Sequence, residues 1–233
     1  MTDILTSLKF HVFDRKTITL KSFLKVLEEN FEGHDDLRAA LLYETPKYGN
    51  DDDYADDHAR WVFNEFHASV DGRKSPRGAT YRINMLPTTS HIYFGKVNEA
   101  TADGRLAGEP LSEGISPVQG MDRKGPTAVL NSAGKIDHLK TGGTLLNQKF
   151  APDFFSDERS IRKVTQLIRS YFRMDGHHIQ FNVVSAGTLR DAQKHPEKHQ
   201  DLIVRVAGYS DYFNDLGPEL QNEIIRRTEH SGL

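Results

Sequence analysis

The residues best suited to chemistry lie near the C-terminal end, at Arg205-Val206-Ala207-Gly208-Tyr209-Ser210-Asp211-Tyr212-Phe213. The β-branched run Leu202-Ile203-Val204-Arg205-Val206 predicts a buried strand, which Ala207-Gly208 interrupts before Tyr209 and Phe213 resume. A glycine therefore sits at the tip of a loop between packed elements, and two roles suit it. It can serve a tight turn or a bulge, where only glycine takes a positive φ without strain. It can also become a backbone radical. A planar Cα conjugated with both adjoining amides would crowd a β-carbon against the neighbouring carbonyls, so only glycine accommodates that geometry without strain.

The composition narrows the classes. With 233 residues, 37% of them hydrophobic, the chain can bury one large core or two small ones. Thirty basic and thirty-three acidic side chains leave a net charge of −3, and the longest acidic block is Asp51-Asp52-Asp53, so no nucleic-acid or membrane-surface footprint is expected. No apolar run approaches the ~20 residues of a membrane span, and Met1-Thr2-Asp3-Ile4 lacks the pattern of a signal peptide. A cytoplasmic location is expected. There is no cysteine, so the chain supplies no disulfide, thiol nucleophile or thiolate-held cluster.

The elements that must position Gly208 follow from periodicity. A short strand is expected around Leu8 to Phe13. Thr19 is a suitable N-cap for a helix through Leu20, Phe23, Leu24, Leu27 and Phe31, and a second helix runs through Leu37, Leu41 and Leu42 until Thr45-Pro46 stops it. The acids from Asp51 to Asp56 lack the spacing of a calcium loop and suit a helix start, ahead of Tyr54, His58, Trp61, Val62 and Phe66. No metal site is expected. Tyr81 to Leu86 and His91 to Phe94 read as strands, and Gly95 to Gly125 is aperiodic but rich enough in apolar residues to pack irregularly. A helix over Thr127 to Lys140, a strand over Gly143 to Phe150 and a capped helix from Asp157 follow. His177 to Val184 alternates as a strand, which sets Gln180 and Asn182 on one face, available to hydrogen-bond a neighbouring loop. A terminal helix is expected from Glu219 to Glu229, and the order of elements fits β/α units.

Arg205 to Phe213 resembles the signature of the glycyl radical enzymes. The likeness extends through Pro46 to Asp56, Ala102 to Pro117, Gly120 to Pro126, Asp137 to Phe150 and Gly176 to Glu229, and is to the dehydratase and lyase branch that includes glycerol dehydratase and choline trimethylamine-lyase. It implies an α/β fold, the C-terminal part of a ten-stranded β/α barrel carrying the glycine-radical loop, with residues 1–100 in the barrel domain and 101–233 as a glycine radical domain. Gly208 would hold the radical, supported by Arg205, Val206, Ala207, Tyr209, Ser210 and Phe213. The chain would bind no cofactor of its own. Its partners would be an activating enzyme that uses S-adenosylmethionine and an iron–sulfur cluster, and a cysteine-bearing N-terminal portion or companion subunit; a homo-oligomer is compatible with this. The implied reaction is elimination of water or an amine from a small hydroxylated substrate. A portion of a formate C-acetyltransferase and a non-catalytic spare glycyl radical module are the alternatives, and the chain alone is expected to be inactive.

Overall fold

The structure, a computed structural model that describes residues 1–231, is a mixed α/β arrangement. Helix α1 (Thr2–Leu8) continues into a π-helical turn over Lys9–Asp14, where a strand was expected. The reason is a stripe: Ile4, Leu8 and Val12 recur every four residues and pack on the buried Phe23, Val26, Phe31 and Leu41, a helical spacing that outweighs the short alternation. In α2 (Leu20–Glu28) the Thr19 side chain accepts the Ser22 N–H at 3.1 Å, and α3 (Asp35–Tyr43) follows. Asp52 likewise caps α4 (Asp53–Val70), accepting the Tyr54 N–H at 3.0 Å. The face α4 buries is Ala55, Asp56, Ala59 and Phe63. Trp61 and Phe66, apolar positions of the expected helix, are exposed. Asp51, Asp53 and Asp56 converge on Lys135 at 2.9, 2.8 and 2.7 Å, so the acidic run also forms an ion-pair cluster.

A second correction concerns His91 to Phe94, which belongs to helix α5 (Ser90–Val97). Its inward face is His91, Ile92 and Gly95, and Gly95 lies so close to Glu109 that a Cβ would stand 2.3 Å from that carbonyl oxygen. The aromatic residues Tyr93 and Phe94 face outward. Tyr81 to Leu86 forms no ladder; it is tied to the chain ahead of the sheet by one parallel bridge, Met85 to Thr144. From Asn98 to Gly125 the described backbone has neither helix nor strand, and Ile115 anchors it in a core with Tyr48, Phe63, Phe150 and Tyr171.

The C-terminal half holds the sheet. Helix α6 (Pro126–Gly134) is shorter than expected, with a separate 3-10 turn at His138–Lys140. Strand β1 (Asn147–Phe150) is buried at every position. Helix α7 (Glu158–Arg173), capped by Asp157 through the Ser160 N–H at 2.9 Å, sets Leu167 and Tyr171 in the core with Phe150. Strand β2 (Gln180–Val183), helix α8 (Ala186–Lys194), strands β3 (Ile203–Arg205) and β4 (Ser210–Tyr212), helix α9 (Pro218–Arg226) and strand β5 (Glu229–His230) complete it. The three-stranded sheet runs β2-β1-β5, all parallel. Helix α9 stops three residues before Glu229, which pairs in β5 instead. Buried Lys149 of β1 donates to the Ile225 carbonyl at 2.9 Å and so satisfies the helix end. Strands β3 and β4 form an antiparallel hairpin over a smaller core of Leu145, Leu189, Phe213 and Ile224.

Candidate functional site

The hairpin ladder pairs Ile203 with Tyr212, Val204 with Asp211 and Arg205 with Ser210. Val206 then donates its N–H to the Tyr209 carbonyl at 2.8 Å, which leaves Ala207-Gly208 as a two-residue tip. Gly208 holds φ at +80°, a value that an L residue adopts only with strain, as at the third position of a type II turn. The turn by itself therefore calls for glycine. Space does not: a Cβ at 208 would touch only Leu145 Cδ1, at 3.7 Å. Val206, Ala207 and Phe213 point into the core beneath, whereas Gly208, Tyr209 and Ser210 are exposed.

Both peptide groups of Gly208 are held by side chains. Its N–H donates to Gln180 Oε1 at 2.9 Å, and Arg205 Nη2 donates to its carbonyl at 3.0 Å. The two side chains are themselves joined, Arg205 Nε donating to Gln180 Oε1 at 3.2 Å, and Arg205 Nη1 reaches Ser210 Oγ at 3.3 Å. Gln180 Nε2 donates to the Val206 carbonyl at 3.2 Å. Asn182, two residues along the same face of β2, makes a reciprocal pair with the Arg205 backbone, its Oδ1 accepting the N–H and its Nδ2 donating to the carbonyl, each at 2.7 Å. The structure thus assembles Gln180, Asn182, Arg205, Ser210 and Gly208 into one network, with Val206, Ala207 and Phe213 as its floor. Tyr209 lies at its rim.

Behind this network stands a second layer that the sequence did not single out. Gln180 Nε2 also bonds Asn147, which bonds the buried Glu113. Ser116 Oγ donates to Glu113 Oε1 at 2.6 Å and accepts the Asn147 N–H at 2.9 Å. From α9, Arg227 meets Glu223 in a two-pronged pair at 3.1 and 2.8 Å and spares Nη1 for the Arg205 carbonyl at 3.3 Å. Burial pushes the Glu223 carboxyl up, but the Arg227 charge, the neighbouring His91 and the Arg227 hydrogen bonds together outweigh it and hold the group down at about 2. Glu113 is shifted the other way, because burial dominates there despite Arg227. The four-residue spacing of Glu223 and Arg227 is a legible helix pair; nothing local says that it braces a distant loop. Among the described residues no cluster of His, Asp or Glu is placed to hold a metal ion.

The exposed glycine of the hairpin is thus held at its N–H from the parallel sheet and at its carbonyl by the hairpin's own arginine. Comparison with known proteins identifies the class. Residues 111–214 match the family model described as glycine radical, and residues 1–95 match pyruvate formate lyase-like. Trans-4-hydroxy-L-proline dehydratase of Clostridioides difficile is 53% identical over 99% of this chain and 29% of its own length, and its crystal structure superposes with a TM-score of 0.96. Isethionate sulfite-lyase of Bilophila wadsworthia is 42% identical over 99% of this chain and 28% of its own length. The B12-independent glycerol dehydratase of Clostridium butyricum is 43% identical, with a TM-score of 0.94 over 99% of this chain and 29% of that one. The chain belongs to the glycyl radical enzymes, is similar to dehydratases and lyases among them, and spans under a third of the length of these relatives.

Proposed function

We propose that this chain is the radical-bearing portion of a glycyl radical dehydratase or lyase, with residues 101–233 as its glycine radical domain and Gly208 as the residue that stores the radical. The observation that carries the reading is the double grip on Gly208. A turn glycine needs its φ, but it does not need a buried glutamine on its amide and an arginine on its carbonyl. The stretch concerned lies inside the segment matching the glycine radical family. Arg205, Gln180 and Asn182 hold the loop, while Val206, Ala207 and Phe213 fix it to the core.

An activating enzyme with an iron–sulfur cluster and S-adenosylmethionine would remove one hydrogen atom from Gly208 Cα. The radical then takes a hydrogen atom from a thiol: a Cα–H bond forms, an S–H bond breaks, and the thiyl radical acts on substrate. The sequence contains no cysteine, so that thiol belongs to polypeptide outside these 233 residues. The reaction served is elimination from a small hydroxylated compound.

The test is anaerobic activation followed by electron paramagnetic resonance, then mass spectrometry after exposure to air. We expect a doublet from the remaining Cα hydrogen and, with oxygen, a backbone cut at Gly208, both lost in Gly208→Ala. An activating enzyme that works on a full-length relative but leaves this chain silent, with the cysteine-bearing portion supplied, would remove the assignment.

A further inference from the structure

We infer that Gln180 is a positioning residue that holds Gly208 in a conformation unsuited to the radical, so that radical formation requires the hydrogen bond from the Gly208 N–H to Gln180 to open. The inference rests on Gly208 as the radical site. Once a hydrogen atom leaves, Cα is planar and its unpaired electron occupies the orbital perpendicular to the N–Cα–C plane. That orbital overlaps the nitrogen lone pair only when the preceding peptide lies in the same plane, which requires φ near 180° or 0°. At the observed φ of +80° the two orbitals are nearly perpendicular. Conjugation through the nitrogen is then almost absent, and its share of the stabilisation available to a glycyl radical is withheld.

The contacts show what maintains that angle and what must give. Rotating the Ala207–Gly208 peptide toward planarity swings the Gly208 N–H away from Gln180 Oε1, now 2.9 Å distant. Gln180 is itself 5% exposed and fixed by its bonds to Val206 and Asn147, so it does not follow. The hairpin need not unzip, because the Val206 to Tyr209 bond and the Arg205–Ser210 pair lie outside the rotating peptide. On the other side of Gly208, Arg205 keeps the carbonyl in place. The step is thus a local turn of one peptide, opposed by one hydrogen bond that the Gly208 N–H donates to a buried side chain.

The experiment compares wild type, Gln180→Met and Gln180→Glu, each supplied with the cysteine-bearing portion and an activating enzyme from a relative. The rate of doublet growth and the hydrogen exchange of the Gly208 amide are followed in parallel. Gln180→Met removes the acceptor and should quicken both by about threefold to tenfold, the factor carried by one net hydrogen bond. Gln180→Glu keeps an acceptor and should activate no faster than wild type. The radical, once formed, should show the nitrogen hyperfine coupling of a planar φ in every variant. A Gln180→Met chain whose Gly208 amide exchanges faster but whose radical forms no faster overturns this inference alone, as does a wild-type radical lacking nitrogen coupling. A wild-type chain that gives no doublet removes the assignment of Gly208 and this inference with it.

Discussion

Gly208→Ala is the natural control for any radical experiment, and the structure says how much it should cost. The added Cβ would find Leu145 Cδ1 at 3.7 Å, an ordinary contact, and nothing nearer. The penalty is therefore that of placing an L residue at φ +80°, about 1–2 kcal/mol. A domain of this size shifts by about 2–4 °C per kcal/mol, so the melting temperature should fall by roughly 2–8 °C. Gly114→Ala is the contrast: its φ is +55° and its Cβ would lie 2.4 Å from the Leu145 carbonyl oxygen, so backbone must move. It should cost clearly more, with overpacking of about 1–3 kcal/mol added to the strain. Thermal unfolding of both variants beside wild type checks the ranking. A Gly208→Ala loss above about 4 kcal/mol would mean that the tip is packed, and an unchanged melting temperature would mean that position 208 does not hold a positive φ. The predicted middle result is what allows loss of the radical signal in Gly208→Ala to be assigned to chemistry rather than to unfolding.

Glu223→Gln should cost about 3–5 kcal/mol at neutral pH, because it strands the buried Arg227 charge. Since the folded carboxyl sits at about 2 against an ordinary 4.5, its stabilisation is present above pH 4.5 and is lost as pH falls through that window. The gap between the two proteins in denaturant titrations should close accordingly. Asp3 has the opposite sign: burial raises it to about 6, against the pull of Lys47 and the Tyr48 N–H. Its contribution is fully present below pH 3.8 and lost as pH rises through 6, so Asp3→Asn should flatten that decline in the same titration. Thr19→Ala removes the cap of α2 and should cost about 1 kcal/mol, read as a shift in the urea midpoint.

What the sequence made legible was local. Thr19, Asp52 and Asp157 cap their helices because an N-cap depends on residues two or three places away. Alternation in β2 put Gln180 and Asn182 on one face for the same reason. The failures were tertiary. His91 to Phe94 reads as a strand by its apolar run, yet Gly95 must approach the Glu109 backbone, and a helix delivers that approach. Trp61 and Phe66 carry an apolar periodicity, but the face α4 buries is Ala55, Asp56, Ala59 and Phe63. Strand β5 was missed, its Glu229 placed in the expected helix, because its partner β1 lies about eighty residues away, far beyond the window of any periodicity argument. Glu113 escaped because an aperiodic stretch offers no face on which to place a side chain.

The same contrast shows how the hairpin divides its work. Every polar contact to Gly208 comes from the side of β2 and Arg205, and every apolar one from the core that Leu145 shares with α8 and α9. The other side of the tip is open: Gly208, Tyr209 and Ser210 are exposed together. On the proposed reading a thiol would reach Cα from that open side, since Gln180 and Arg205 occupy the other. Oxygen would reach it by the same route. A cover there has to admit one sulfur atom and exclude dioxygen, which is a demand on polypeptide outside these 233 residues. The exposed aromatic and aliphatic side chains Trp61, Tyr93, Phe94 and Val97 are apolar surface of the kind such polypeptide would bury. On that reading the chain supplies the hydrogen-bonded back of the site and leaves its closing to what packs in front of it.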